Sequence, residues 1–470
     1  MNLFVLILLS LFSVAPEEEI LSEDRIWDGG GGDNLWMNPL NWSNDLLPEL
    51  DADVLIQTDV TVIYDNPSYT VESISILNNA HLIIAEGSYL HTTKGAAGGS
   101  DGFRLTGGFT SDSIARLTVY GTLDITMAFA AGDGMDINKN AEVLVAEGGL
   151  LSISNPSQNG LEISDKLTNE GTITITNTGE SGIRGRSVVD GGGEIINTAT
   201  GEIIISEVTE MGIWLGSNAP ITNNGSIKVF GTGEEAFDGD GHELFNFGIF
   251  EAEGLITAQD FIVENDSEVK VGAPIGKLIL DNELDFSNST LTFTLEGDEP
   301  VTEYSQLEQN QGSFDFSNAS LNVAGSYIPQ TNDVFVIVLL GVGQSVVGGF
   351  VGLPEGATFS HNGRVLKISY VGGDGNDVTL TTQSAITDND MDGFFSDVDC
   401  DDDDSAINPD AIEIINNDVD ENCDGIVEVI DIDDDGFNSD EDCDDTNADI
   451  NPDATEIPNN NIDEDCDGTA

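Results

Sequence analysis

Between about Thr70 and Gly254, apolar and polar residues alternate in short runs, and each run opens on glycine. The phrase reads Gly121-Thr-Leu-Asp-Ile, Gly149-Leu-Leu-Ser-Ile, Gly171-Thr-Ile-Thr-Ile, Gly201-Glu-Ile-Ile-Ile, Gly225-Ser-Ile-Lys-Val and Gly248-Ile-Phe-Glu-Ala, at spacings of 28, 22, 30, 24 and 23 residues. A second phrase lies between these: Gly134-Met-Asp-Ile, Gly160-Leu-Glu-Ile, Gly182-Ile-Arg and Gly212-Ile-Trp-Leu. Period-two alternation bounded by Gly and Asn predicts two or three short strands per unit. Helical periodicity is nearly absent, so the chain reads as all-β. A repeat of this size with unequal spacing marks a stacked coil, because one unit cannot bury its apolar face alone. Stacking sets each strand over its counterpart, giving parallel sheets around one long core, with insertions pushed into loops. A parallel β-helix, or solenoid, is therefore expected over residues 61–270. Asn169, Asn197, Asn223 and Asn246 recur just before the Gly phrase. They fit either a hydrogen-bonded ladder at a bend or turn formers that tolerate left-handed backbone.

A stacked coil needs capping, since an open end exposes a sheet edge and a core layer. Residues 20–60 fit that need. They carry Trp27-Asp-Gly-Gly-Gly-Gly, Trp36, Asn41-Trp42, Pro48 and Asp53-Val-Leu-Ile, with three of the four Trp in 16 residues. The functional alternative is an aromatic platform that stacks on carbohydrate. The pattern resembles the leader found before right-handed β-helix domains in exported bacterial surface proteins. Residues 271–383 change character. Leu278-Ile-Leu, Leu291-Thr-Phe-Thr-Leu, Leu321-Asn-Val, Val334-Phe-Val-Ile-Val and Val378-Thr-Leu-Thr read as strands of a β end-domain. The stretch from Gly349 through Leu366 to Leu380 resembles the region that closes passenger-like β-helices of bacterial surface proteins. Within it, Gly372-Gly-Asp-Gly-Asn-Asp377 imitates the start of a calcium nonapeptide. One copy cannot complete an ion's shell, so the segment reads as a hairpin turn.

The N-terminus bears on the compartment. Leu3 to Phe12 is apolar apart from Ser10, and Ser13-Val-Ala then Pro16 follow. This reads as a signal peptide over residues 1–19. The run is too short to span a bilayer, so no membrane insertion is expected after its removal. Cys400, Cys423, Cys443 and Cys466 are even in number, regularly spaced and confined to the last 71 residues. In an exported chain that pattern suggests disulfides. No Cys-x-x-Cys occurs, and His81, His91, His242 and His361 form no ligand-spaced pair, which disfavours zinc.

Charge sharpens the division. The chain of 470 residues has 87 acidic and 13 basic residues, a net charge of -74. So negative a surface repels phosphates and anionic headgroups, which excludes nucleic acid as a partner. From Gln383 onward, 88 residues hold 32 Asp or Glu and no Lys, Arg or His. The rest carries 55 acidic and all 13 basic residues.

The acidic segment, residues 384–470, is an internal duplication. Asp388, Asp390, Asp392, Gly393, Asp399, Cys400, Pro409, Glu413, Asp420, Cys423 and Gly425 recur 43 residues later as Asp431, Asp433, Asp435, Gly436, Asp442, Cys443, Pro452, Glu456, Asp463, Cys466 and Gly468. Asp388-x-Asp390-x-Asp392-Gly393 places carboxylates at positions 1, 3 and 5 of a loop, with Gly at 6 for the sharp turn. The Phe394 carbonyl, Ser396 and Asp399 follow at 7, 9 and 12. This is the oxygen spacing of an EF-hand calcium loop with Asp at its last position. Asp431, Asp433, Asp435, Phe437, Ser439 and Asp442 repeat it. A third loop overlaps these through Asp420, Asn422, Asp424, Glu428 at position 9 and Asp431 at 12, so Asp431 would serve two loops. A fourth begins at Asp463, Asp465 and Asp467 and stops before positions 9 and 12, which leaves it incomplete on this spacing.

Hard oxygen donors without His or thiolate favour calcium over zinc or copper, and over magnesium, which keeps its waters. No amphipathic helix flanks the loops. The segment resembles the Asp-rich, Cys-containing metal-binding repeats of bacterial surface proteins, and is similar in pattern to thrombospondin type 3 repeats. The resemblance covers about 83 residues and implies little regular structure, calcium at the core and disulfides as staples. Pairing within each repeat, Cys400 with Cys423 and Cys443 with Cys466, is expected, although four Cys allow three connectivities.

Two classes of function follow. One is a non-enzymatic, adhesin-like structural protein, secreted or held at a bacterial cell surface, that binds calcium and meets extracellular glycans or surface proteins. The other is a β-helix polysaccharide lyase or glycoside hydrolase, which needs a base or spaced acids gathered on one coil face. Arg184-Gly-Arg186, followed by Asp190, is its best local candidate. No catalytic residue is assigned, and no nucleophile set, P-loop or dinucleotide fingerprint occurs.

Overall fold

The computed structural model describes residues 24–57, 59–94, 101–108, 110–128, 132–186, 193–216, 220–309, 311–383, 389–394, 396, 398–414, 417, 419–427, 431–439, 441–458 and 460–470. The signal peptide expected at 1–19 lies outside them, as do Asp190, Asp388 and Glu428.

Strands follow one another in threes. Met135–Ile137, Ala141–Val145 and Leu150–Ser154 make one turn of a coil, and Leu161–Ile163, Lys166–Asn169 and Thr172–Thr178 make the next. Each strand pairs in parallel with its counterpart one turn on: Met135 with Leu161, Val143 with Leu167, Leu151 with Ile173. Among the described residues, the repetition runs through three long sheets of 16, 11 and 9 strands, as the parallel β-helix reading expects. Alternate side chains of a strand point to opposite faces, so parallel register turns the sequence pattern into continuous interior columns. Leu151, Ile173, Ile203, Ile227 and Phe250 form one, and Ile153, Ile175, Ile205, Val229 and Ala252 form another. All ten are essentially inaccessible. Each fully buried Leu or Ile contributes roughly 1.5–3 kcal/mol.

The glycines that open the phrases serve close approach. A Cβ on Gly160 would stand 2.3 Å from Ile175 Cγ2, and one on Gly225 would stand 2.2 Å from the Gly201 carbonyl oxygen. Neighbouring turns therefore stack only because those positions have no side chain.

The asparagine ladder is real. Asn169 Nδ2 donates to Asn197 Oδ1 at 2.8 Å, Asn197 Nδ2 to Asn223 Oδ1 at 2.7 Å and Asn223 Nδ2 to Asn246 Oδ1 at 2.7 Å. All four side chains are fully buried. None has left-handed backbone, so the turn-former alternative fails. The ladder ends where Val145 and Val263 occupy the next rungs.

Trp27, Trp36 and Trp42 pack edge-on, with Trp42 5.0 Å from Trp27 and 4.7 Å from Trp36. All three are buried, so none presents a ring to a sugar. Arg25–Ile26 pairs in parallel with Val54 and Leu55, which attaches this segment to the first turn. At the other end, parallel pairing runs on past residue 270. Glu268–Val271 pairs with Thr290–Thr294, which pairs with Ser320–Ala324. The change at residue 271 is thus one of composition, while the stacking persists. Pairing turns antiparallel between Val334–Leu340 and Asp377–Thr382. The Gly-rich segment before Asp377 is a tight turn, in which Gly375 N donates to the Gly372 carbonyl at 2.8 Å. Asp377 Oδ1 accepts from Leu340 N, which commits it to the fold.

The chain divides into two compact units. One comprises Met1–Tyr327, Val334–Thr358 and Ile368–Thr381; the other comprises Ile328–Asp333, Phe359–Lys367 and Thr382–Ala470. No helix among the described residues is long and apolar enough to cross a membrane.

Candidate metal centres

Among the described residues, the segment from Asn389 to Ala470 has no strand or helix. Its backbone is organised by its own carboxylates. Asp431 Oδ1 accepts from Asp435 N at 3.1 Å and Oδ2 from Gly436 N at 2.6 Å, while Asp435 Oδ1 accepts from Phe437 N at 3.0 Å. Phe394 N donates to Asp392 Oδ1 in the same way. The turns that carry the Phe394 and Phe437 carbonyls are therefore formed. Gly393 and Gly436 both sit at φ 102°, a conformation open only to glycine. That explains Gly at position 6.

Wrapping the loops brings acids together. Ligand oxygens of Asp390, Asp392 and Asp399 lie within 4.8 Å of one another, and so do those of Asp431, Asp433 and Asp435. Asp442 belongs to the second group electrostatically. Burial, and then the charges of Asp435, Asp442 and Asp431, push the Asp433 carboxyl up, while the Gly436 N–H holds Asp431 down. Asp399 and Asp442 are each only 7% exposed, and the Oδ2 of each has no hydrogen-bond partner. Both Asp433 oxygens are likewise shielded and unpartnered. Buried polar atoms are normally paired, and an unpaired buried charge is costly. Carboxylates so placed call for a cation.

Two further residues join the sites. Glu456 gathers with Asp463 and Asp465, again within 4.8 Å. Its Oε2 accepts from Glu464 N at 3.1 Å and its Oε1 is shielded without a partner. Glu413 is held one repeat earlier by the N–H one position further along: Oε2 accepts from Asn422 N at 3.3 Å and Oε1 is unpartnered. The loops starting at Asp420 and Asp463 thus receive a carboxylate from upstream. Asp420 and Asp424, like Asp463 and Asp467, hold their own loop backbones. Asn422 Oδ1 accepts from Asp424 N at 3.0 Å. Position counting within a 12-residue loop misses Glu413 and Glu456. Their recurrence at the 43-residue offset is the signal that could have found them.

Disulfides join Cys400 to Cys423 and Cys443 to Cys466, the pairing expected within each repeat. Each bond ties the residue after Asp399 or Asp442 to the neighbouring loop. No thiol is left, and the segment has no His. The donor set is therefore carboxylate, amide, hydroxyl and carbonyl oxygen. Residues 399–428 and 442–470 match the family model Cu-binding_MopE, described as a "Putative metal-binding motif". These C-terminal repeats carry a metal-binding motif. No curated protein matches the chain.

The coil carries a second polar cluster. Parallel register aligns Arg104, Asp136, Glu162, Arg184 and Trp214. Asp133, Asp136 and Glu162 are buried. Burial, reinforced by Glu162 beside Asp133 and by Asp101 beside Asp136, pushes both aspartates up to about 6. The arginines are already engaged. Arg186 Nη1 lies 2.6 Å from Glu162 Oε1, Arg104 Nη2 lies 2.8 Å from Asp101 Oδ2, and Arg184 pairs with Glu180 and lies over Trp214. Arg184 and Arg186 therefore read as ion-pair partners of the stacked turns.

Proposed function

We propose that this protein is a secreted or cell-surface structural protein, adhesin-like, whose C-terminal repeats bind calcium. The observation that carries the reading is the buried Asp399 carboxylate, with an unpartnered oxygen, grouped with Asp390 and Asp392, and its repeat in buried Asp442, whose charge acts on Asp433 and whose nearest sulfurs are closed in a disulfide. Asp390, Asp392 and Asp399 would hold one ion, with Asp388, Ser396 and the Phe394 carbonyl completing the loop. Asp431, Asp433, Asp435 and Asp442, with Ser439 and the Phe437 carbonyl, would hold the next. Asp420, Asn422 and Asp424 with Glu413, and Asp463 and Asp465 with Glu456, would form the others. Many hard oxygens in flexible loops suit calcium, whereas copper favours imidazole or sulfur donors, which this segment lacks. The family name's copper therefore does not fit these residues. Disulfides and the motif support an oxidising, extracellular setting. The coil would present loops to extracellular glycans or surface proteins.

Calorimetric titration of calcium into the chelator-treated full chain tests this. One ion per loop and a smaller hydrodynamic radius are expected. No heat at millimolar calcium, or tight copper binding that calcium does not contest, would overturn it.

A further inference from the structure

The two loops of each repeat are joined by hydrogen bonds that run, through the backbone of a shared segment, from one ligand carboxylate to another. In the second repeat Asn451 Nδ2 donates to Asp435 Oδ2 at 2.7 Å. The backbone N of the same residue donates to the Glu464 carbonyl at 3.0 Å. Glu464 N then donates to Glu456 Oε2 at 3.1 Å. The first repeat is built similarly, with the last donor one residue further along. Asn408 Nδ2 donates to Asp392 Oδ2 at 2.7 Å, and Asn408 N to the Glu421 carbonyl at 2.9 Å. The next N–H, that of Asn422, donates to Glu413 Oε2 at 3.3 Å.

We infer that Asn408 and Asn451 are positioning residues that make the two ion sites of each repeat load as one unit. The inference rests on the calcium reading above. Asp392 and Asp435 stand at position 5 of their loops, and Asn408 and Asn451 hold the oxygen not used by the loop backbone. An ion that orders Asp435 orders Asn451, because both groups share one hydrogen bond. Asn451 in turn fixes the Glu464 carbonyl, while the Glu464 N–H, on the preceding peptide, holds Glu456 Oε2, and Glu456 gathers with Asp463 and Asp465. The second ion then meets a site already arranged, and the ordering cost is shared. The Asn side chain is itself pinned: Asn408 Oδ1 accepts from Asp410 N and Asn451 Oδ1 from Asp453 N, each at 3.0 Å. Glu421 and Glu464 brace the far side, their carboxylates accepting from Ile414 N and Asn417 and from Ile457 N and Asn460. Linkage makes the effect reciprocal, so each loop strengthens the other by the same factor.

The test is a double-mutant cycle on the full chain with calcium as the probe. Asp390→Asn and Asp420→Asn silence the first repeat, so stepwise calorimetry reads the second alone. Asp463→Asn then disables the last loop. We expect it to weaken calcium at the Asp431 loop about tenfold. In the Asn451→Ala background the same substitution should change that affinity less than twofold. Asn451→Ala by itself should cost on the order of 10–100-fold. A merely structural Asn451 would give additive losses. The mirror cycle, with Asn408→Ala and Glu413→Gln in a chain silenced at Asp433 and Asp463, repeats the measurement on independent residues should Asn451→Ala misfold. An undiminished effect of Asp463→Asn in the Asn451→Ala chain would assign the link to the Cys443–Cys466 disulfide and overturn the inference. So would loops that bind independently in the parent. Absence of all calcium binding overturns the calcium reading as well.

Discussion

The coil and the acidic repeats are two solutions to one problem: how to hold a chain that lacks a conventional globular core. In the coil, order comes from repetition of apolar side chains. Ile173, Ile203 and Ile227 stack because parallel register puts like upon like. Burial is non-directional, so Val or Phe can replace Ile on a rung. In the repeats, order comes from directional oxygen contacts. Asp431 and Asp435 wrap their own backbone, and two disulfides close it. The gathered carboxylates repel one another until a cation is present. The coil should therefore be stable in itself, and the repeats conditionally stable.

Chelation should separate the regions most sharply. With calcium removed, amide exchange should rise across residues 389–470 and the radius should grow, because close carboxylates repel. Protection in the coil should stay unchanged, and loss of it would erase the contrast. Next in size, Ile203→Ala should destabilise the coil by about 3 kcal/mol, read from denaturant unfolding, and leave calcium affinity alone. Asn197→Leu should cost about 2 kcal/mol, since it strands the buried amides of Asn169 and Asn223. An unchanged unfolding midpoint would mean the ladder adds no stability.

The smallest effect is pH dependence. Burial pushes Asp136 up to about 6, above the roughly 4 of an unfolded aspartate. Between those values the folded coil keeps a proton that the unfolded chain has released. The ionised carboxylate therefore weakens the fold above about pH 6, and the penalty fades as pH falls toward 4. Asp101 and Asp133 reinforce the shift, while Arg104 and Asn138 oppose it. Thermal melts in saturating calcium should show the coil more stable at pH 5 than at pH 7.5. Asp136→Asn should flatten that slope.

Much of this was legible in residue order. The Gly phrases marked the turns because Gly160 and Gly225 stand where no Cβ fits. Asp-x-Asp-x-Asp-Gly marked the loops because hydrogen bonds within six residues shape them. Other features were not legible. The asparagines admitted two readings, since only the parallel register brings Asn197 between Asn169 and Asn223. The Trp cluster admitted two as well, until its rings were seen to bury one another. Glu413 and Glu456 were hidden because they reach their loops from seven residues upstream, outside any fixed loop spacing.

The sequence by itself determined the all-β coil, the duplicated acidic loops and the oxygen-only chemistry of their donors, because alternation, glycine placement and short-range carboxylate turns are local properties. Only the tertiary structure decided that stacking continues past residue 270 and that an upstream glutamate faces each second loop. It also decided that Asn408 and Asn451 join the loops in pairs. Those are contacts between residues distant in the chain, and no local pattern specifies which partner a folded chain will bring.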